Sequence, residues 1–397
     1  MNKKSFADLG VSPVVARALA ERGIQSPFPV QASVIPDALA GHDVLVKSPT
    51  GSGKTLALGL PLVDLIDAED ARAAALVLAP TRELVSQIVE EIRPLAAARA
   101  LSIASVYGGV GIEKQAKLAR KAHIIVATPG RLEDLIARGA VRLDRVRILA
   151  LDEADRMLDM GFRPPVDRIV AQVPRDRQTL FLSATLDGEA GRIAREYTRD
   201  ARRHEHAPTR DARLDIEHRF LAVAHEDKLD SLVDALRGDD AGRTLVFVRT
   251  KRGADRLVKR LAKRGVEAAA MHGDKSQGQR EKALRRFHTG NLAALVATDV
   301  AARGIDVDDI TQVVNFDAPE DRDTYVHRIG RTGRAGRTGV GVTFVMHDQA
   351  RDVGKIAHEL RLHSQFEQGG FKTPQVGSVR HGGRRHPSRN RRRAQVR

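Results

Sequence analysis

Five times in the first half of the chain a short aliphatic run stops abruptly in polar or glycine-rich residues. "DVLV" (43–46) leads into "KSPTGSGKT", "ALVLA" (75–79) into "PTRELV" and "HIIVA" (123–127) into "TPGRL". "ILAL" (148–151) leads into "DEADR" and "TLFL" (179–182) into "SATL". Apolar runs this short and this continuous, spaced by helix-like stretches, predict strands of a parallel sheet covered on both faces. In open α/β sheets, ligands bind outside the carboxyl ends of the strands. The five polar loops are therefore expected along one edge of one domain, and their shared position marks a site more strongly than any one of them.

A second set of runs follows: "TLVFV" (244–248), "AALVA" (293–297), "TQVVNF" (311–316) and "GVTFV" (341–345). Between the sets, residues 199–213 are polar, contain a proline and have no apolar periodicity, so they read as a linker. The expected fold class is α/β, with two tandem domains and a tail. The boundaries are set at 1–206, a linker at 207–213, 214–364, and a basic, disordered tail at 365–397.

The formal net charge is +15, and nine of the excess cations fall in the last 27 residues, which hold no Asp or Glu. A basic body with a basic tail points to a polyanionic partner, most often nucleic acid. The chain has no cysteine, which excludes disulfides and thiolate zinc sites and fits a reducing compartment. Its 14 histidines show no metal-ligand spacing; His381 and His386 lie in the tail. No apolar run approaches the roughly 18 residues of a membrane span. The N-terminus, "MNKKSFADLG", has no apolar core and is not expected to be a secretory signal.

"SPTGSGKT" (48–55) has the logic of a phosphate-binding loop. Thr50, Gly51, Ser52 and Gly53 supply a compact segment whose backbone N–H groups can curl around phosphate oxygens. Lys54 supplies a point charge to the β- and γ-phosphates, and Thr55 offers a hydroxyl to Mg²⁺ at a helix N-terminus. The first position of the strict pattern is Ser48 instead of glycine. After "ILAL", Asp152, Glu153 and Asp155 crowd a strand end, where unpaired carboxylates are costly to desolvate. A metal resolves this, because Mg²⁺ takes carboxylate and water oxygens with phosphates completing its shell. Asp152 is expected to hold it, largely through water, and Glu153 to orient and deprotonate an attacking water. Asp155 is expected to pair with a base or with the "SAT" loop.

With these motifs in this order the chain resembles a DEAD-box RNA helicase. "DEAD" (152–155) is the name-giving motif, and "SPTGSGKT", "PTREL", "TPGR" and "SAT" take the family's places. In the second half "VFVRT" (246–250), "HGDKSQGQR" (272–280), "ATDVAARGID" (297–306) and "HRIGRTGRAG" (327–336) continue the match. The resemblance covers roughly residues 5 to 350 and is nearest to the bacterial RhlE-like subgroup.

It implies two RecA-like domains with ATP, Mg²⁺ and RNA bound across their cleft. Gln31 matches the adenine-reading glutamine and Phe6 an isolated upstream aromatic. Ile24 stands where the family usually has Phe or Tyr, and Phe28 where it has Thr or Ser, which implies weaker adenine stacking. Ser48 replaces the usual Ala, with little effect expected. Arg331 and Arg334 match the arginines that reach the γ-phosphate, and Asp306 a residue near the ribose. Ser183 and Thr185, with His327, match positions that link the ATP state to the RNA state. The RNA-facing residues by match are Arg82, Gly109, Thr128 and Arg131 in the first domain. In the second they are Thr250, Gly273, Arg280, Thr298 and Arg303. These are suited to sugar–phosphate contact, so binding is expected to be independent of sequence.

The expected activity is RNA-stimulated ATP hydrolysis coupled to domain closure and local unwinding of short duplexes, in the cytoplasm. An ATP-gated RNA clamp or annealing chaperone shares all of these motifs. A DNA translocase is disfavoured by the motif set, and an inactive ATPase by the presence of Lys54, Asp152, Glu153, Arg331 and Arg334. The tail, with one aromatic, Phe371, reads as an electrostatic tether. Ribosome assembly, messenger decay and cold adaptation are all compatible with the sequence.

Overall fold

The computed structural model describes residues 4–48, 52–186, 188–206, 216–238, 242–302, 310–333 and 338–372. They form two parallel sheets. The first holds β1 (Val44–Lys47), β2 (Ala75–Leu78), β3 (Ile103–Val106), β4 (Ile124–Ala127), β5 (Ile148–Leu151), β6 (Gln178–Ser183) and β7 (Arg202–Glu205). Their spatial order is β3-β4-β2-β5-β6-β1-β7. The second holds β8 (Ile216–Ala222), β9 (Arg243–Phe247), β10 (Ala268–Met271), β11 (Ala294–Ala297), β12 (Ile310–Asn315) and β13 (Gly339–Val345). Their order is β10-β11-β9-β12-β13-β8. Helices cover both faces of each sheet, so each domain has two apolar layers, one per face. β2, β4, β5 and β11 are buried along their whole length, which is why they read as unbroken aliphatic runs.

All nine predicted runs are strands. The other four strands differ from them in physical setting. β3 and β10 are edge strands of small or half-exposed residues, "IASV" and "AAAM". β8 is an edge strand whose residues are half-buried or exposed apart from Phe220. β7 is wholly polar, "RRHE", and sits at the edge beside β1, with Val44 opposite Arg202. Its side chains are largely exposed, and charge on an edge strand discourages pairing with another chain. The stretch expected to be linker from 199 is therefore strand at 202–205; residues 207–215 lie outside the described part.

The tail boundary at 365 also moves. A helix runs His363–Gln368, Phe366 is fully buried, and this helix packs on β8. Phe371 stacks on Phe366 with ring centroids 4.8 Å apart, so it belongs to the second domain's core. The remainder of the expected tail, from 373, lies outside the described residues.

Candidate active site

The strand order divides the carboxyl edge of the first sheet into two halves. β5, β6 and β1 are neighbours, and their loops carry "DEAD", "SAT" and the phosphate-loop residues. β3, β4 and β2 are neighbours too, and their loops carry Gly109, Thr128 with Arg131, and Arg82. In the second sheet β10, β11 and β9 adjoin and are followed by Gly273, Thr298 and Thr250, while His327 and Arg331 come after β12. The topology alone thus separates the expected nucleotide residues from the expected RNA residues.

On the nucleotide side one cavity is lined from both domains: Lys54, Glu153 and Ala184 from the first, and His327, Arg328 and Arg331 from the second. Lys54 opens the helix Lys54–Leu65 and donates to the Ser48 carbonyl at 2.6 Å. The Ser48 hydroxyl bonds that of Ser52 at 2.7 Å, an interaction the alanine usual in the family lacks. Gly53 caps the helix at φ +90°, and Thr55 sits half-buried in the first turn. Thr50 and Gly51 lie outside the described residues.

Asp152 follows β5 and is buried, and its carboxylate accepts the Glu153 N–H at 2.9 Å. Burial pushes its carboxyl up to about 6, against the opposing pull of Lys54. Glu153 caps the helix Ala154–Asp159 from the left-handed region, φ +49°, a conformation that costs a non-glycine residue roughly 1–2 kcal/mol. Burial opposes the charge of Glu153, but Arg156, Arg331 and Lys54 outweigh it and hold the carboxyl below the usual range. Arg156, three residues on, is buried and ion-paired with it. Of the two alternatives for Asp155, the structure takes the "SAT" loop: it accepts the Thr185 N–H at 3.0 Å and the Thr185 hydroxyl at 3.3 Å. Ser183, at the end of β6, bonds the Thr185 backbone through its own hydroxyl.

Gln31 is buried, and both ends of its amide are engaged within the protein. Its oxygen accepts the Phe28 N–H at 2.9 Å and its nitrogen donates to the Gly53 carbonyl at 3.0 Å. It therefore ties the helix Pro29–Leu39 to the phosphate loop, a role the sequence did not suggest. Phe28 is 54% exposed, with its ring against Gly53. Ile24 packs on the first core, as does Phe6.

On the other half, Gly109 has φ +86°, and a β-carbon there would lie 2.0 Å from Arg82 Nη1. Arg131 donates to the Val110 carbonyl and to Gln115, both at 3.0 Å. Thr128 and Thr250 start helices, and the Thr250 hydroxyl accepts the Gly253 N–H. Thr298 is buried beside Met271, and Gly273 lies against Lys251. Arg280 departs from expectation. It is buried and ion-paired at 2.8 Å with Glu83 of the first domain, so its charge is spent on an acid across the interface. Arg303, Asp306 and Arg334 lie outside the described residues.

Three residues the sequence reading passed over matter here. Glu83 is one, signalled only by an acid beside Arg82 at a helix start. Arg156 is the second, signalled by its i+3 spacing from Glu153. Arg328 is the third: it grips Asp299 with two bonds of 2.6 and 2.8 Å, lies over the Phe247 ring, and fixes the helix that carries His327.

Two facing α/β domains with a phosphate loop, an acidic strand end and a basic residue reaching across define a two-domain nucleotide-hydrolysing machine. Residues 28–193 match the DEAD/DEAH box helicase family, and residues 227–336 the helicase conserved C-terminal domain. Over 355 residues the chain is 42% identical to the DEAD-box ATP-dependent RNA helicase CshA of Geobacillus kaustophilus, covering 89% of this chain and 75% of that one. The Bacillus subtilis CshA is 41% identical, over 86% of this chain and 69% of its own. The chain belongs to the DEAD-box family of ATP-dependent RNA helicases.

Saccharomyces cerevisiae Dbp5 bound to RNA and ADP BeF3 superposes with a TM-score of 0.81 at 31% identity, over 89% of this chain and 93% of that one. A Methanococcus jannaschii DEAD box protein gives 0.53 at 36% identity, over 90% of this chain and 97% of that one. The better superposition comes with the lower identity. No helix among the described residues is long and apolar enough to cross a membrane.

Proposed function

We propose that the chain hydrolyses ATP in the cleft between its domains, with Mg²⁺, when closure on single-stranded RNA brings Arg331 to the phosphate side, and that closure locally separates short RNA duplexes. The observation that carries this is the single cavity shared by Lys54 and Glu153 with His327 and Arg331. Its wall is contributed by two domains, so it is complete only when they meet.

The residues present fit a nucleotide with a divalent cation. A buried carboxylate whose charge is opposed by desolvation, as at Asp152, gains most from a cation at its side. Asp152, largely through water, and Thr55 are the residues that would hold magnesium, which supplies charge neutralisation at the phosphates when bound. Lys54 and the backbone around Gly53 take the phosphates. Glu153, ionised and oriented by Arg156, accepts a proton from water as the water oxygen attacks the γ-phosphorus and the bond to the bridging oxygen breaks. Arg331, with Arg334, stabilises charge on the transferring group; arginine fingers supply about 10³–10⁵ in rate in related chemistry. Ser183 and Thr185, tied to the acidic loop by Asp155, carry the state of the nucleotide toward the RNA side. Gln31 and Asp306 face the nucleoside.

RNA runs over Arg82, Gly109, Thr128 and Arg131, then Thr250, Gly273, Thr298 and Arg303, as sugar–phosphate contacts without base choice. Within the family we place the chain in the RhlE-like subgroup, from the wording of its motifs; the relatives named above are CshA proteins. We assign residues 1–206 and 214–364 as the domains, the second extended to about 372, and the tail as an RNA tether. Truncation after Lys372 that left RNA affinity and its salt dependence intact would remove the tether. The cytoplasm is the proposed location.

The decisive experiment measures ATP hydrolysis with and without single-stranded RNA, in wild type and Glu153→Gln. Strong RNA stimulation, lost in the variant, is expected. Hydrolysis indifferent to RNA would refute coupling through closure. Strand displacement then separates the helicase from the clamp: a clamp binds RNA in an ATP-dependent way and frees no strand.

A further inference from the structure

The helix Lys251–Lys263 covers one face of the second sheet and starts at the carboxyl end of β9, directly after Thr250. Ala254, Leu257 and Leu261 are its buried side. Arg252, Arg256, Lys259 and Lys263 are all exposed. Their spacing, i, i+4, i+7 and i+11, confines them to about 60° of the helix surface and strings them along about 16 Å. They form one straight line of cations opposite the apolar side.

The line is uncompensated. None of the four takes part in an ion pair among the described residues. The helix's single acid, Asp255, is turned to His272, at 3.1 Å, and Lys275, at 2.7 Å. On the neighbouring helix Lys228–Arg237, Asp230 pairs with Arg264, past the end of the line. A bare row of like charges repels itself and gains nothing for folding, since exposed cations without partners contribute little. It does match a polyanion that lies along it. The row holds no aromatic or large aliphatic anchor, as a protein partner would need, and no ring for a base to stack on. What remains is a sugar–phosphate backbone.

Position selects which backbone. The row begins two residues from Thr250 and beside Lys251, which touches Gly273 and pairs with Asp274 at 2.7 Å. From there it leads away from the cleft, down the outside of the domain. We propose that the outer face of this helix is a second RNA track, which holds the phosphates of the strand segment leaving the cleft past Thr250 and Gly273. It rests on the RNA-binding reading above. It gives the core a grip on RNA flanking the closed segment, independent of sequence.

The test uses the full chain and a quadruple variant, Arg252→Gln, Arg256→Gln, Lys259→Gln and Lys263→Gln, with single-stranded oligouridylates of increasing length. Glutamine keeps helix propensity, and thermal unfolding confirms that the domain is intact. Wild-type affinity should go on rising with length beyond the point where the variant levels off, while both bind the shortest active oligomer equally. With about −0.7 in salt exponent per phosphate on single strands, four lost contacts lower the slope by about 3. On long RNA, wild type should then lose about fifty-fold more affinity than the variant between roughly 50 and 200 mM salt. A second variant, Arg252→Lys with Arg256→Lys, should behave as wild type. Equal length dependence and equal salt slopes in wild type and quadruple variant would mean a solvated face only and would overturn the inference. Loss on the shortest oligomer as great as on the longest would overturn it too, because the four residues would then act on the cleft. Wild type that bound no oligouridylate at any length would refute the RNA reading itself.

Discussion

Asp152 holds its place against its own solvation. In the folded chain its carboxyl is pushed up to about 6 by burial, from 3.8. Between about pH 4 and 6 the native state therefore keeps a proton that the unfolded chain releases, so stability falls as pH rises through that window. At neutral pH the ionised, unliganded site costs roughly 1–3 kcal/mol. Asp152→Asn is expected to raise the unfolding temperature of the nucleotide-free protein at pH 7.5, to lose that advantage near pH 4.5, and to abolish hydrolysis. A variant less stable than wild type at pH 7.5 would contradict the assignment. Gly109 is a second residue whose identity is set by its surroundings. An alanine there would sit at φ +86° with its β-carbon in the Arg82 guanidinium. Gly109→Ala should cost about 1 kcal/mol in stability and, by displacing Arg82, weaken RNA binding about tenfold, with ATP affinity in the absence of RNA unchanged. Titrating RNA and nucleotide separately decides it.

Among the elements, strand ends did most to make the site legible. A buried strand is a nearly pure aliphatic run, so the polar residue that stops it is conspicuous; Asp152 is legible for that reason, and Lys54 for its place in the glycine-rich loop that follows β1. Edge strands lack that contrast, and β3, β7, β8 and β10 were passed over on the same physical ground. Residues that act by holding another residue were also silent. Arg156 and Arg328 read as ordinary helix cations, and only the fold shows them set against Glu153 and Asp299. Gln31 read as a ligand residue, yet its amide also fastens one helix to the phosphate loop. Asp155 shows the same logic between elements, because it joins the helix after β5 to the loop after β6. Asp155→Ala should leave the strands in place and free the "SAT" loop. RNA-stimulated hydrolysis is expected to fall by at least tenfold, with much less effect on nucleotide affinity. Equal losses in both would point to damage at the phosphate site instead.

At the scale of the whole molecule, Arg280 and Glu83 decide what closure costs. Each lies in a different domain, both are buried in the pair, and burial, with Arg82, opposes the charge of Arg280 while Glu83 offsets only part of that. With the domains apart, each charge returns to water. The intact pair is therefore close to neutral for closure, because desolvation cancels much of its attraction. Removing one partner is different: the other must be buried alone, at about 3–5 kcal/mol, and that cost falls only on the closed state. Arg280→Ala and Glu83→Ala should each lower RNA-stimulated hydrolysis by two orders of magnitude or more, with unchanged unfolding of the separated domains and unchanged ATP affinity without RNA. The double variant, Arg280→Met with Glu83→Leu, buries no charge and should recover most of the loss. That recovery distinguishes the interface from a phosphate contact. If Arg280 held RNA directly, as its motif position suggested, the double variant would stay as impaired as Arg280→Ala, and adding RNA in excess would rescue both. Rates measured across an RNA titration for the two single variants and the double variant separate a molecule that closes through this pair from one that merely grips RNA with it.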